Sequence, residues 1–277
     1  MSLAEERQIA QRYIGGFPLL MVVWGLGGFI LWLVLWPLAI LGVIPLWLGG
    51  VVATIILSAC YLPSHEAEHG NIGRPKKPFR WLNELTGHLS MFPLLIPYRL
   101  HRAIHLKHHA HANDPIKDPD YHNMAENILG AIRQAWLGSQ PGFTGALKDQ
   151  VLEDSVAKDK LVLEALVVTR IAWFAMAVLA VSGFALQLFA LWWLPRQIAM
   201  IYTVITLSWA PHHPGQETGR YRDTRGWVSP VGTILSSGME YHLVHHLFPS
   251  IPLNKTPAAY RELKPLLEKE GMALNGL

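Results

Sequence analysis

The stretch from Leu100 to Asn123 reads LHRAIHLKHHAHANDPIKDPDYHN and holds six of the chain's fourteen histidines. Wound as a helix at about 100° per residue, it brings His101, His105, His108 and His109 within roughly a third of a turn. A surface helix gains nothing from imidazoles stacked this way, and burying them in a core without partners is costly. Neutral imidazole is the commonest side-chain metal ligand, so the pattern predicts a metal site. Three further clusters accompany it: His65-Glu66-Ala67-Glu68-His69, Pro211-His212-His213-Pro214 and Tyr241-His242-Leu243-Val244-His245-His246. Spacings of three and four place the histidines of the first and last of these on one helical face. Fourteen histidines in 277 residues average one in about twenty, and two H-x-x-H-H triplets with an H-x-x-x-H depart far from that spread. His88 and His122 stand alone and read as ordinary surface or core residues.

The rest of the chain reads as the scaffold for these clusters. Hydrophobic residues make up 51% and charged residues 16%, and there are eleven tryptophans. Soluble domains carry about a quarter charged residues, so an integral membrane protein is expected. Phe17–Trp36 runs twenty residues without a charge, about the length that crosses a bilayer core. Its glycines, Gly25, Gly27 and Gly28, read as places where helices approach closely. Val43–Leu62 supplies a second span ending at Pro63. The apolar block Leu161–Ala210 is broken by Arg170, Gly183 and Pro195-Arg196, and is divided into spans near 171–190 and 191–210. Trp192 and Trp193 then fall in an aromatic belt at the outer turn, with Arg196 snorkelling. Leu89–Pro97 is apolar but too short to span, so it is expected as an interfacial or re-entrant piece. A polar tail from His212 includes an amphipathic helix around Pro257–Glu270. The expected fold is all-α: one domain over residues 1–277, with four transmembrane helices in two hairpins and a helical cap carrying the histidines.

Lysines and arginines set the orientation. Residues 63–160 carry twelve, the tail after Ala210 seven and the N-terminal segment two. The first hairpin turn has none and the second only Arg196. The positive-inside rule therefore places both termini and every histidine cluster on the cytoplasmic face. The polar, acidic start MSLAEERQIAQR lacks the layout of a cleaved signal peptide. Cys60 is the one cysteine, which excludes an intrachain disulfide framework and a four-cysteine iron–sulfur cluster. A net charge of +3 with no basic helix and no basic–aromatic repeat gives no nucleic-acid footprint.

His65-Glu66-x-x-His69 matches the zinc-protease pattern of two ligands and a general-base glutamate, and a membrane zinc protease is the rival reading. Such a site needs about three protein ligands and an open position. Nine well-placed histidines, His65, His69, His105, His108, His109, His212, His242, His245 and His246, are too many for one zinc and suit two transition metals. Ligand type alone leaves the metal open among iron, copper, zinc and nickel.

The set H-x-x-x-H, H-x-x-H-H, H-x-x-H-H on one side of a four-span scaffold resembles the membrane fatty-acid desaturase/hydroxylase superfamily, over roughly residues 40 to 260. His65-Glu66-Ala67-Glu68-His69-Gly70 looks like its first histidine box. Arg102-x-x-His105-x-x-His108-His109 with Asp118-Pro119-Asp120 looks like the second. Tyr241-His242-x-x-His245-His246-Leu247-Phe248-Pro249 is similar to the third. The run HLKHHAHANDPIKDPDYH and Pro211-His212-x-Pro214 also resemble carotenoid ketolases and hydroxylases, which makes His212 rather than His213 the expected ligand of that segment. The resemblance implies a non-haem di-iron site that reduces O₂ and oxidises an unactivated C–H bond. The substrate it implies is a lipid or carotenoid from the bilayer, a fatty acyl lipid first and a carotenoid second. Electrons would come from an external ferredoxin or cytochrome with its reductase, because the chain has no redox motif of its own. Arg74, Lys76, Lys77 and Arg80 would dock such an acidic donor or bind anionic lipid headgroups. His101, His111, His213, Glu66, Asp118 and Glu240 are the candidates for orienting the ligands, with Glu68, Asp114 and Asp120 also available.

Overall fold

The computed structural model describes residues 3–140, 156–226, 232, 236 and 238–274, and among them the secondary structure is entirely helical. Leu3–Gln11 forms α1, Leu19–Ile40 α2, Leu46–Glu68 α3, Arg80–Met91 α4, Tyr98–His111 α5 and Ile128–Gly138 α6. Val156–Leu179 (α7) leads into α8 (185–212), a run of α and wider π turns, and His242–Leu247 (α9) and Thr256–Lys269 (α10) complete the described chain. The amphipathic tail helix expected around Pro257–Glu270 is α10.

Among the described residues, three helical runs are long and apolar enough to cross a membrane: Leu19–Ile40, Leu46–Glu68 and Lys158–His212. Their outer faces keep Leu20, Val23, Ile30, Ile55, Phe174 and Val181 exposed. Apolar surface on that scale suits a bilayer rather than water. The first two runs form the expected hairpin, but α3 does not end at Pro63. It continues to Glu68, so the first histidine cluster rides on the spanning helix itself. A proline lacks one N–H, and neighbouring helices make that tolerable inside membrane helices. Of the three glycines in α2, Gly25 alone is tightly packed: a Cβ there would meet Ser90 Oγ at 2.7 Å and Pro63 Cβ at 2.8 Å, whereas Gly27 faces open space.

The third run corrects the expected boundary between spans at residues 190 and 191. At 1.5 Å per residue its 55 residues would measure about 80 Å if straight, far beyond a hydrocarbon core of about 30 Å. The helix breaks at Gly183, whose φ of +92° is open to glycine and strained for other residues. Residues 162–173 of α7 and 196–208 of α8 then line one cavity, as a chain reversed near Gly183 requires. Trp192 and Arg196 consequently lie inside the bundle, not at an outer turn. Trp192 is 3% exposed, donates Nε1–H to Pro93 O (2.8 Å) and meets the Trp32 ring edge-on at 5.0 Å. Arg196 does not snorkel: it is buried and bonds the carbonyls of Leu94 and Ser139.

Those bonds explain Leu89–Pro97. The segment ends α4, makes a short 3₁₀ turn at Phe92–Leu94 and is buried through Met91, Leu94 and Leu95. Its exposed carbonyls find donors in Trp192 and Arg196, the condition under which irregular backbone is stable at membrane depth. One apolar core joins α2, α3, α4 and α8 through Trp32, Leu57, Met91 and Trp192. A second lies beyond the spans, where Ala10, Leu243, Leu247, Leu263 and Leu267 pack α1, α9 and α10 together.

Candidate metal centre

The histidines sit where helices end. His65 is in the last turn of α3 and His69 is its C-cap. Terminal carbonyls of that helix need donors: Asn83 Nδ2 and Tyr98 OH both donate to Ala67 O (2.9 Å each), and Arg102 Nε donates to Glu68 O (2.7 Å). The end of α3 is thereby fixed against α4 and α5. His212 ends α8, and three of the six residues of α9 are histidines.

All nine sequence-expected ligands converge, in two groups. His65, His69, His105, His109 and His245 form one, and His108, His212, His242 and His246 the other, each with one ring nitrogen per residue within 4.8 Å of the rest. The split follows helix geometry. Residues i and i+4 are about 40° apart, so His65/His69, His105/His109 and His242/His246 stay together. The odd residue of each H-x-x-H-H triplet lies about 100° from its sequence neighbour and crosses over: His108 leaves α5 for the α9 pair, and His245 leaves α9 for the α5 pair.

Within the five-histidine group, Nε2 of His105 is 2.8 Å from that of His69 and 3.1 Å from that of His109, which is 3.0 Å from that of His245. In the second group the Nε2 atoms of His108 and His212 are 3.2 Å apart. Nitrogens bound to one transition metal at about 2.0–2.1 Å and at right angles are about 3 Å apart, so these spacings fit a shared ion. Neither ring nitrogen of His65 or of His242 has a hydrogen-bond partner among the described residues, although both side chains are 1–2% exposed. Buried polar atoms in that state are destabilising, and a cation removes the penalty. The donor set fits two metal ions. Burial first, and the neighbouring imidazoles after it, hold His105, His109, His242, His245 and His246 well below the usual imidazole range. They are therefore neutral, with lone pairs available for coordination.

The outer nitrogens are oriented by acceptors. His108 Nδ1 lies 2.9 Å from Asp118 Oδ1, and Asp118 also accepts from Asn113 N and Asp120 N (2.8 Å each). Burial lowers the His108 pKa, but the Asp118 hydrogen bond and the nearby Asp120 and Asp223 charges together raise it above the ordinary value. His212 Nδ1 donates to Asp223 O (2.8 Å). His101 lies in neither group; its Nδ1 is 2.8 Å from Glu68 Oε1, and it lines the adjoining cavity. His111 also lies outside both groups, half-buried at the end of α5. His213 turns away and packs against Trp209 at 4.8 Å, leaving His212 as the member from that segment. Glu240 is fully buried and accepts from Ser236 Oγ (2.7 Å). Glu66 accepts from the Leu253 backbone N–H, on the segment following α9. A protease general base must face the metal-bound water, and this carboxylate is instead engaged in tying α3 to the third cluster.

Two contributors are not among the expected residues. Asn113, in the left-handed region at φ +65°, donates its amide to Glu217 O and Asp223 O (2.8 and 2.9 Å). It joins the Asp118 turn to the strap carrying the His212 acceptor. Its one sequence signal is an asparagine before Asp114-Pro115, a residue type tolerant of that backbone region. The other is the Asp223 carbonyl, a backbone acceptor that residue identity does not reveal.

A cavity of about 400 Å³ adjoins the groups, lined by His65, His105, His108 and His242 and, among its apolar walls, by Leu95, Leu100, Ile104 and Leu207. Its α7 wall includes Leu166 and Trp173, both exposed on the outer surface of the bundle.

A family model described as fatty acid desaturase matches residues 41–277. A sn-1 oleoyl-lipid 12-desaturase of Anabaena variabilis is 29% identical over 82 residues, 28% of this chain and 22% of the relative. A sn-1 acyl-lipid omega-3 desaturase (ferredoxin) of Nostoc sp. (strain 36) is 32% identical over 69 residues, 25% of this chain and 18% of the relative. A Delta(12) fatty acid desaturase of Caenorhabditis elegans is 29% identical over 109 residues, 35% of this chain and 27% of the relative. The matched stretches thus span less than a third of each relative's length.

Proposed function

The chain belongs to the fatty acid desaturase family, and on that premise we propose that it is a membrane oxidoreductase that desaturates or hydroxylates a long hydrocarbon chain, a fatty acyl lipid first. The observation that carries this reading is the pair of convergent histidine groups whose members line a largely apolar cavity. His65, His69, His105, His109 and His245 would hold one iron ion, and His108, His212, His242 and His246 the other. Bound iron supplies the reduction of O₂ and the oxidising power to break an unactivated C–H bond.

The protein's part is to fix, exclude and position. Asp118 and the Asp223 carbonyl orient His108 and His212, which sets the ring tautomer and strengthens each as a ligand. Leu95, Leu100, Ile104 and Leu207 keep water from the reacting carbon and leave the chain few alternative positions. Desaturation removes two hydrogens from adjacent carbons, and with two electrons and two protons from outside reduces one O₂ to two waters. No described residue stores electrons, so an external donor with its reductase is required. A ferredoxin fits, since one relative's name carries that donor.

The break at Gly183 favours four spans, and the clustering of lysine and arginine in residues 63–160 and the tail favours a cytoplasmic site and cytoplasmic termini. A carotenoid is the second substrate reading, resting on the resemblance of Pro211-His212-x-Pro214 and the HLKHHAHANDPIKDPDYH run to carotenoid ketolases and hydroxylases. Expression in hosts with defined fatty acids and carotenoids, followed by mass spectrometry of extracts, tests both. A new unsaturated or hydroxylated acyl chain is expected. Product only in the carotenoid host reverses the order. Metal analysis should find about two irons per chain, as a two-metal site requires. One tightly bound zinc that survives loss of His242, His245 and His246 overturns the proposal.

A further inference from the structure

Four basic side chains, Arg74, Lys76, Lys77 and Arg80, follow the first histidine cluster, and the structure separates their roles. Arg80 turns inward, donating to Gly73 O (3.5 Å) and pairing with Glu84. Arg74, Lys76 and Lys77 stay exposed. Arg74 and Lys77 line a cavity of about 350 Å³ that shares no lining residue with the one beside the histidines. Its wall also includes Gly15, Gly16, Gly70 and Ser250, so the segments that follow α1, α3 and α9 meet around it. Lys255 Nζ donates to Gly15 O (2.7 Å), which places a further cation behind the Gly15–Gly16 wall. No acidic side chain is among the described residues of the lining. Glycines leave the backbone open to close approach, Arg and Lys are the side chains that bind phosphate oxygens, and the volume is that of a small-molecule site. This chemistry fits a phosphate ester.

The surroundings point to the source of that phosphate. Phe17, two residues before α2, meets Phe79 at a ring distance of 5.2 Å, and both rings are exposed, as is Trp81. From there α4 runs beside α2. Thr86 and Ser90 pack closely at Gly25, and Phe92 meets the Phe29 ring edge-on at 6.3 Å, about 15 Å of rise into α2. Phe17, Phe79 and Trp81 therefore stand where a membrane-crossing helix enters the bilayer, the level at which exposed aromatic rings meet lipid headgroups. Basic side chains at that level attract anionic lipids. Lys76 and Phe79 both hold left-handed backbone (φ +61° and +66°). Strain of that kind collects at ligand clamps.

We infer that this second cavity binds the phosphate of an anionic membrane glycerophospholipid, held by Arg74 and Lys77, with Phe79 and Trp81 against its acyl chains. The lipid is a fixed component of the protein and not its substrate, since the hydrocarbon cavity is lined by other residues. Asn71, also in the lining, donates Nδ2–H to Pro249 O (3.1 Å). A phosphate reaching both Arg74 and Ser250 adds a second tie between the stretch after His69 and the stretch after His246, and so steadies the histidine groups. The inference goes beyond the proposed oxidation and rests on α2 crossing a membrane.

The test uses the full chain purified in detergent, with native mass spectrometry of the lipid it retains. Detergent removes the charged bilayer, so retention reports the cavity and not surface attraction. The probes are phosphatidylglycerol, phosphatidylcholine and diacylglycerol with the same acyl chains, and inorganic phosphate. Phosphatidylglycerol should be retained at least about fivefold better than phosphatidylcholine, the scale of one basic side chain acting on an anionic lipid. Diacylglycerol should be lost. Phosphatidylglycerol should also raise the thermal midpoint, as a ligand of the folded state does. Arg74→Gln with Lys77→Gln should weaken retention of phosphatidylglycerol about 25-fold, about fivefold for each charge. Lys76→Gln removes the same charge from the same loop outside the cavity and should leave retention unchanged. If the double variant fails to fold, Lys77→Gln alone carries the test and must still weaken retention about fivefold. Equal retention of the three lipids, folded cavity variants that retain lipid like the wild type, or the full thermal shift from inorganic phosphate alone overturns the inference. So does a raised KM for reduced ferredoxin in the double variant at unchanged lipid retention, the mark of a docking surface for an acidic protein. These readouts need no turnover, so failure of the wild type to oxidise any chain bears on the proposed function alone.

Discussion

His109 and His245 are separated by 136 residues of sequence, yet their Nε2 atoms are 3.0 Å apart. His245 reaches this position by leaving the face of α9 that carries His242 and His246, as His108 leaves His105 and His109. The crossing predicts that the histidines act as two sets cutting across the sequence clusters. His245→Ala should deplete the metal held with His65 and His69, leaving about one iron where a two-metal site holds two. A second alanine at His69 should add little to that loss, and one at His242 should remove most of the remainder. Metal analysis of purified variants checks this. Grouping by sequence cluster, with His245 behaving like His242, would contradict the geometry.

Asp118 accepts from His108 and from two backbone N–H groups at once. Asp118→Asn keeps the shape but puts an amide where the imidazole N–H needs a strong acceptor. Removing the carboxylate behind a metal-ligating histidine costs about 10–100-fold in metal affinity or activity. Competition with a chelator of known affinity should show that loss for the ion held by His108, with the other ion retained. Equal loss of both would indicate general misfolding.

The spacings of four residues were readable directly: His65 and His69 share one face whatever surrounds α3. The first helix hairpin was readable from charge-free length. Three things were not. A proline at 63 reads as a terminator, yet α4 packs around α3 and lets it continue to Glu68. Trp192 and Arg196 read as interfacial anchors because bilayer logic assigns such residues to belts. Their true partners, the Pro93 and Leu94 carbonyls, lie about a hundred residues away and leave no pattern in sequence. The break in the third long run falls at one positive φ, at Gly183, which composition cannot separate from glycines that ease packing.

Gly87 and Gly27 make a paired test of that last distinction. A Cβ on Gly87 would fall within the ring of Tyr98, whose hydroxyl holds Ala67 O beside the first histidine cluster. Gly87→Ala should cost about 1–3 kcal/mol through overpacking, seen as a lower thermal midpoint in detergent, and should also weaken metal retention through the displaced end of α3. Gly27 has nothing within 4 Å of a new Cβ. Gly27→Ala should leave the midpoint unchanged or raise it slightly, since alanine is the better helix former. Equal effects at both positions would show that Tyr98 yields without consequence.

Glu66 separates the oxygenase from the protease most directly. Its carboxylate holds the Leu253 N–H, linking α3 to the segment that follows His245 and His246. Glu66→Gln keeps an acceptor oxygen for that N–H, so the link weakens without breaking. Oxidation of the hydrocarbon should fall by less than about tenfold, with metal content unchanged, because hydrogen bonds to charged groups exceed neutral ones by only a modest margin. A general base has no such substitute, and its loss costs about 10²–10⁴-fold in rate. Glu66→Gln that retains both metals and eliminates turnover would therefore place Glu66 in the chemistry. Glu66→Ala tightens the comparison: leaving the Leu253 N–H buried and unmet should loosen the third cluster and lower metal content, a loss that a purely catalytic glutamate would not produce.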